Sequence, residues 1–203
     1  RTNVMKTILT LLFAIPLSHL MIAQTTAIPD VNFEQALISL GYDVGTPDGT
    51  VLTASIDTVT SLDVMLSDIG DLTGIEDFAA LTHLNCGGNL LTDLNVTQNS
   101  ALKELRCNTN QLIGLDVTQN AELTKLWCDG NVLTNLDVTQ NEDLTTLSSS
   151  SNQLTNLDVT QNLDLHFLRC SSNSLTALDV TQNAILDTLF CDLNQITGLN
   201  VTQ

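Results

Sequence analysis

From Leu81 onward, apolar residues return at fixed offsets: Leu102, Leu105 and Cys107, then Leu112, Leu115 and Val117, then Leu123, where the set begins again after 21 residues. Each unit divides in two, because L-x-x-L-x-C-x-x-N is echoed by L-x-x-L-x-V-x-x-N. Both halves are predicted to place an extended segment on a stack of repeats. Upstream, VTSLDVMLSDIGDLTGIEDFAA from Val59 is a degenerate 22-residue unit that keeps Val59, Leu62, Val64, Ile69, Leu72 and Ile75 in the same slots. A different period precedes it. Asp30 can cap a helix over about residues 30–40 in which Phe33, Ala36, Leu37 and Leu40 form one apolar face and Gly41 is the stop. Tyr42 to Thr50, with Pro47, Asp48 and Gly49, reads as a turn-rich connection.

The repeated units open at Leu81 (LTHLNCGGNLLTDLNVTQNSA), Leu102, Leu123, Leu144, Leu165 and Leu186 (LDTLFCDLNQITGLNVTQ), the last stopping short. This is the leucine-rich-repeat pattern at the short end of its range. The predicted fold is a mainly β repeat solenoid of 21- and 22-residue units with a parallel sheet and a helical N-terminal cap. One unit offers six inward apolar side chains, roughly 1.5 to 3 kcal/mol for each large one if buried. Ordering its backbone costs about 1 to 2 kcal/mol per residue. A single repeat therefore cannot fold, whereas stacked repeats cover both faces and exchange backbone hydrogen bonds. Two asparagine columns fit such a stack: Asn89, Asn110, Asn131, Asn152, Asn173 and Asn194 in one, Asn99, Asn120, Asn141, Asn162 and Asn183 in the other. Buried amides at tight turns can serve backbone groups of their own and neighbouring rungs, so we read both columns as structural ladders.

The expected organisation is an upstream stretch and signal peptide over 1–23, a cap over 24–58, and the solenoid over 59–203 with its variant rung at 59–80. Met5 and Lys6 open a short basic region, Ile8 to Leu20 is largely apolar but interrupted by Pro16, Ser18 and His19, and Ala23 offers a cleavage point. A permanent span is not expected in the mature chain. Arg1 to Val4 look like upstream read-through or an expression remnant. The last unit ends at VTQ, so a C-terminal truncation is expected, with an open rung that frays or self-associates from Leu186.

Charge narrows the function. There are 23 acidic and 6 basic residues among 203, a net charge of −17. Nucleic acid and anionic membrane surfaces are poor partners for such a chain. Cys86, Cys107, Cys128, Cys170 and Cys191 share one inward slot, with Ser149 filling it in the fourth repeat, and read as small core residues with free, inert thiols. A file of thiols 21 residues apart cannot surround a zinc ion tetrahedrally. Asp116, Asp137, Asp158 and Asp179 form an acidic column bounded by Asn95 and Asn200, each followed two residues on by Thr. Local bonds to Thr are preferred there to calcium, because the dense oxygen ligation of a calcium loop is missing. The carboxylates argue against reading the Thr column as an ice-binding array. NVT at Asn95 and Asn200 matches a glycosylation sequon by coincidence of the repeat. His83 and His166 have no sequence arrangement that joins them to a nucleophile or metal, so no enzyme activity and no cofactor are expected.

LDVTQN hardly changes between repeats, whereas the outward strand positions differ each time. His83, Glu104, Arg106, Lys125, Trp127, Phe167, Arg169 and Phe190 would line one face of the sheet, and Lys103 is assigned to the same outward set. Exposed aromatics and Arg are characteristic of recognition surfaces. Thr146 and Ser148 are expected to leave a shallow gap between two ridges, Arg106 with Trp127 and Phe167 with Arg169 and Phe190.

On these motifs the repeats resemble bacterial secreted leucine-rich-repeat proteins, and IPDVNFEQALISLGYD with DLTGIEDFAALTHLNC is similar to surface proteins of the Flavobacterium group. The 22-residue rung resembles internalins. The resemblance implies binding of host surface proteins through a concave sheet, and flavobacterial relatives often end in a sorting domain. The function read from the chain is a secreted or cell-surface, noncatalytic module that binds a protein or a glycan. The alternative is a spacer or stalk presenting a further domain beyond Gln203, which is also where any catalytic domain would have to lie.

Overall fold

The computed structural model describes residues 23–199 and 201. The signal-peptide reading over residues 1–23 falls, but for Ala23, outside them, as do Asn200 and Thr202. Seven three-residue strands form one parallel sheet in sequence order: β3 Ser61–Asp63, β4 His83–Asn85, β5 Glu104–Arg106, β6 Lys125–Trp127, β7 Thr146–Ser148, β8 Phe167–Arg169 and β9 Thr188–Phe190. Register steps by one repeat at every pair, so Leu84, Leu105, Leu126, Leu147, Leu168 and Leu189 stand side by side at the strand centres. The chain is a parallel β-solenoid built on repeats of 21 residues, the predicted class. Among the described residues no helix is long and apolar enough to cross a membrane.

The two halves of a repeat behave differently. The first yields the strand, whereas the second yields only single bridges, Asn95 to Asp116 and Asp116 to Asp137. The cause lies in the Asp-x-Thr pair: Asp116 Oδ1 accepts from Thr118 N and Thr118 Oγ1 at 2.9 and 2.7 Å, curling the chain directly after the apolar triplet. A second sheet is therefore cut down to isolated bridges.

One aliphatic core runs the length of the stack, from Phe33 and Phe78 under the cap through every Leu, Val and Cys slot to Val180. Val59, Leu62, Val64, Ile69, Leu72 and Ile75 of the variant rung are all buried within it. Asparagines tie the rungs together. Asn110 Oδ1 accepts from Leu91 N while its Nδ2 donates to the carbonyls of Cys86 and Cys107. Asn131, Asn152, Asn173 and Asn194 repeat that scheme, and Asn89 makes its counterpart to the variant rung. In the second column Asn120 Nδ2 donates to Val96 O and Asn99 O, as Asn141, Asn162 and Asn183 do to theirs, and Asn99 reaches Ile75 O and Phe78 O.

The N-terminal segment closes the first rung. Helix α1 runs Val31–Leu40; Asp30 Oδ1 caps it at Asn32 N and Phe33 N, and Gly41 ends it at φ 82°. The second oxygen of Asp30 accepts from Gly70 N and Asp71 N of the variant rung, so one carboxylate both starts the helix and docks it. These four amides outweigh partial burial and hold Asp30 below the usual carboxylate range. The helix face differs from the apolar pattern. Leu40 is 46% exposed and Ala36 is half-buried, while Glu34 is buried because its carboxylate accepts from Asp48 N at 2.6 Å and Gly49 N at 2.8 Å, pinning the turn-rich connection. Four elements lie outside the sequence prediction: an antiparallel pair, β1 Thr25–Ala27 with β2 Thr50–Leu52, and two short helical turns, α2 Thr53–Ile56 and a 3-10 turn at Ile75–Asp77. Strand β1 passes so close to Gly74 that a Cβ there would collide with the Ile28 side chain and the Ala27 carbonyl.

Candidate functional site

In each strand the central Leu points into the core and its two flanking side chains share the other face. That face carries two columns. One runs Ser61, His83, Glu104, Lys125, Thr146, Phe167, Thr188; the other runs Asp63, Asn85, Arg106, Trp127, Ser148, Arg169, Phe190. The eight residues named from sequence all occupy these columns. Lys103 does not: it precedes β5 and lies 3.5 Å from Glu122 at the sheet's edge.

Adjacent rungs bring four of the eight into one group. Arg106 Cζ lies 4.3 Å from the centroid of the Trp127 ring, within cation–π range. Its Nε donates to Glu104 Oε1 at 2.7 Å, and Lys125 Nζ stands 3.9 Å from the other oxygen. Glu104 thus anchors the guanidinium over the indole. The result is a half-buried aromatic surface ringed by two cations and one carboxylate, on a chain whose net charge is −17.

The gap expected at the fourth repeat is altered. Ser148 is buried, not lining a surface hollow, because its hydroxyl donates to Asp129 Oδ1 at 2.6 Å while the same oxygen accepts from Ser150 N. Asp129, missed from sequence, reaches across one rung from the turn after Trp127. Its only signal is that Gly, Asn, Ser and Asp alternate at that slot. Beyond it the second group assembles: Phe167 and Phe190 have ring centroids 6.0 Å apart at 55°, and Arg169 stands in register with Phe190. They border a depression of about 440 Å³ that also includes Ser150, Ser171 and Asp192.

His83 neighbours the first group in register, beside Glu104. Register places Ser61 on one side of it and Glu104 on the other, an order that resembles a nucleophile, base and carboxylate. The hydrogen bonds run elsewhere. His83 Nδ1 is 2.8 Å from Thr82 Oγ1, and Glu104 is committed to Arg106. His166 is off the sheet face, 3.9 Å from Asp187.

The cysteines are free; Cys86, Cys107, Cys128 and Cys170 are buried. Burial pushes the Cys86 and Cys170 thiols up to about 12 and drives Cys107 and Cys128 upward as well, so these sulfurs are poor nucleophiles. Cys191 departs from the expectation of a uniformly buried file. It is only partly covered, since among the described residues β9 has a neighbouring strand on one side only. In the acidic column, Asp116, Asp137, Asp158 and Asp179 each accept from the Thr two residues on, amide and hydroxyl both. Those bonds hold Asp116, Asp137 and Asp179 below the usual carboxylate range. Among the described residues no group of three His, Cys, Asp or Glu is placed to hold a metal ion.

No protein-family model matches the chain. It is similar to internalin J of Listeria monocytogenes serotype 4b (strain F2365), at 41% identity over 72 residues, which is 36% of this chain and 8% of that protein. The solved functional domain of internalin J from Listeria monocytogenes, described as including a cysteine ladder, superposes with a TM-score of 0.75 at 38% identity over 88% of this chain and 45% of that one. A leucine-rich-repeat protein of Leptospira interrogans gives a TM-score of 0.67 at 29% identity over 71% of this chain and 40% of its own. Internalin C2 of Listeria monocytogenes, at 21% identity and a TM-score of 0.60, shares the fold. The chain spans 45% and 40% of the first two solved structures and 8% of the curated relative. By its repeat, its register and these likenesses, the chain has an internalin-like leucine-rich-repeat fold.

Proposed function

We propose that the chain is a noncatalytic recognition module, secreted or displayed at a cell surface, that binds a protein partner through the outer face of its parallel sheet. The observation that carries this reading is the Glu104–Arg106–Trp127–Lys125 group. The remaining outward positions are mostly small or polar, whereas here an indole and a guanidinium are fixed in one orientation before any ligand arrives. Pre-ordering lowers the entropic cost of binding, and Trp and Arg dominate interface energetics. The internalin-like fold supports a protein-binding role, and the apolar N-terminal segment supports export. Captured His83 and Glu104 hydrogen bonds favour binding over catalysis on this face.

The test is capture of partners from candidate cell surfaces by the chain, followed by measurement with variants. Trp127→Ala is expected to weaken binding by about 2 kcal/mol or more, the range of an interface anchor. Arg106→Ala should lose a comparable amount, since it leaves the indole unsupported. Trp127 is half-buried, so a thermal melt must accompany each measurement. A partner that binds Trp127→Ala, Arg106→Ala and Phe190→Ala unchanged would instead establish the spacer reading.

A further inference from the structure

We infer that the depression beside Phe167 and Phe190 is a carbohydrate subsite that takes a neutral pyranose residue, an assignment that rests on the recognition-face reading and specifies the ligand class at one end of that face. Three features carry it. Phe190 is 48% exposed and tilted against Phe167 at 6.0 Å, so a ring face remains free for the C–H surface of a sugar. Arg169 is exposed and makes no ion pair within 4 Å among the described residues, unlike Arg106, whose fork is already occupied by Glu104. Asp192 gives one oxygen to the Ser171 hydroxyl, which orients the carboxylate and leaves its other oxygen without a hydrogen-bond partner among the described residues.

An unpaired five-donor guanidinium and an unpaired carboxylate oxygen on one hollow match neighbouring hydroxyls that each donate and accept. Ser150 adds to the match. It lines the hollow, and its buried Oγ has no hydrogen-bond partner among the described residues. Charge selects a neutral sugar over an acidic one, since a uronate would face Asp192 and a chain of net charge −17. An acidic peptide meets the same repulsion. The hollow is lined about equally by polar and apolar surface, a mixture that suits a sugar's hydroxyls and C–H face together better than an apolar peptide side chain.

The test is titration calorimetry of the whole chain with linear tetramers of glucose, galactose and mannose in turn, alongside a galacturonate tetramer and tetraglutamate. At least one neutral tetramer should bind with a dissociation constant between roughly 0.1 and 5 mM, the weak range of a shallow single subsite. Phe190→Ala should weaken it about fivefold or more and Phe190→Trp should retain it, because stacking carries about a kcal/mol. Arg169→Gln should cost about tenfold, the worth of charge-assisted hydrogen bonds. Asp192→Asn should narrow the discrimination against galacturonate, a readout that a structural role would not move. Lys103→Gln, a cation off this hollow, should bind as the parent does. Saturation by none of the neutral tetramers overturns the assignment, as does tighter binding of galacturonate or of tetraglutamate. Either result leaves the protein-recognition reading in place, because that reading stands or falls on the Trp127 and Arg106 variants.

Discussion

At the residue scale, the backbone demands one thing that the sequence scarcely shows. Leu66, Gly88, Thr109, Gly130, Ser151, Ser172 and Leu193 occupy one turn position in successive rungs, and all have φ between 53° and 67°. Only the two glycines hint at a left-handed column. The other five residues tolerate it because backbone bonds to the next rung fix the turn, as in Thr109 N to Asp129 O at 2.7 Å. For a β-branched residue that conformation is a true outlier and costs about 1 to 2 kcal/mol. Thr109→Gly is therefore expected to stabilise the chain by about 0.5 to 1 kcal/mol, the strain relieved less the extra freedom of glycine when unfolded. Urea unfolding measures it; a destabilised Thr109→Gly would mean the turn is unstrained. The outward identities, by contrast, were legible except for Lys103, which precedes its strand, because a three-residue strand with its centre buried leaves no choice of face. What remained hidden was which outward residues engage. Ser148 shares a slot with Trp127 and Arg169 yet is buried, since Asp129 reaches over from a turn whose side-chain directions no spacing rule gives.

At the scale of elements, the apolar triplets located the strands and Asp30 with Gly41 located helix α1. They did not foretell that the second triplet makes only bridges, nor that β1 and β2 pair. Three polar-flanked residues such as Thr25–Ala27 carry no period, and their partner lies about one helix and one loop away. The Asp-x-Thr turn that breaks the second half also gives the chain a pH dependence. Asp116, Asp137 and Asp179 titrate below the ordinary 3.8 because Thr amides and hydroxyls favour the charged form. A depressed folded value means the stabilisation is complete above the unfolded value and is lost as pH falls through the folded one. The melting temperature should thus fall below about pH 4 relative to an Asp116→Asn, Asp137→Asn, Asp179→Asn variant, which keeps a turn-forming side chain with nothing to titrate. Parallel pH curves for the two proteins would show that these turns add nothing. Charge along the column works in the opposite sense: Asp116 raises the value of Asp137 one rung away. Salt should accordingly raise the melting temperature by screening, with calcium no better than sodium at equal ionic strength. A large, saturable calcium-specific rise that vanishes in Asp137→Asn plus Asp158→Asn would identify a cation site instead.

For the whole molecule, the stack makes stability a sum over rungs and the interfaces between them. Strand register and the asparagine bonds tie each rung to the one beside it, so the worth of a side chain depends on whether a rung lies on both sides of it. Leu126 and Leu189 hold the same slot, but Leu126 in β6 is fully buried between β5 and β7 whereas Leu189 in β9 packs against the core only in part. Leu126→Ala should cost about 2 to 5 kcal/mol, the sum of lost transfer energy and an unrelaxed cavity. Leu189→Ala should cost less than half of that, because its site already meets solvent and can collapse. The same inequality governs local opening. Amides that pair β6 with β5 and β7 have protection on two sides, so hydrogen exchange should grade along the solenoid, slowest near β5 to β7 and fastest at β9. If β9 exchanges as slowly as β6 and Leu189→Ala destabilises as much as Leu126→Ala, the chain buries that rung in solution, and a second copy stacked on β9 becomes the explanation. Sedimentation at two concentrations separates that case from a well-packed monomer, because burial by a second copy must weaken on dilution.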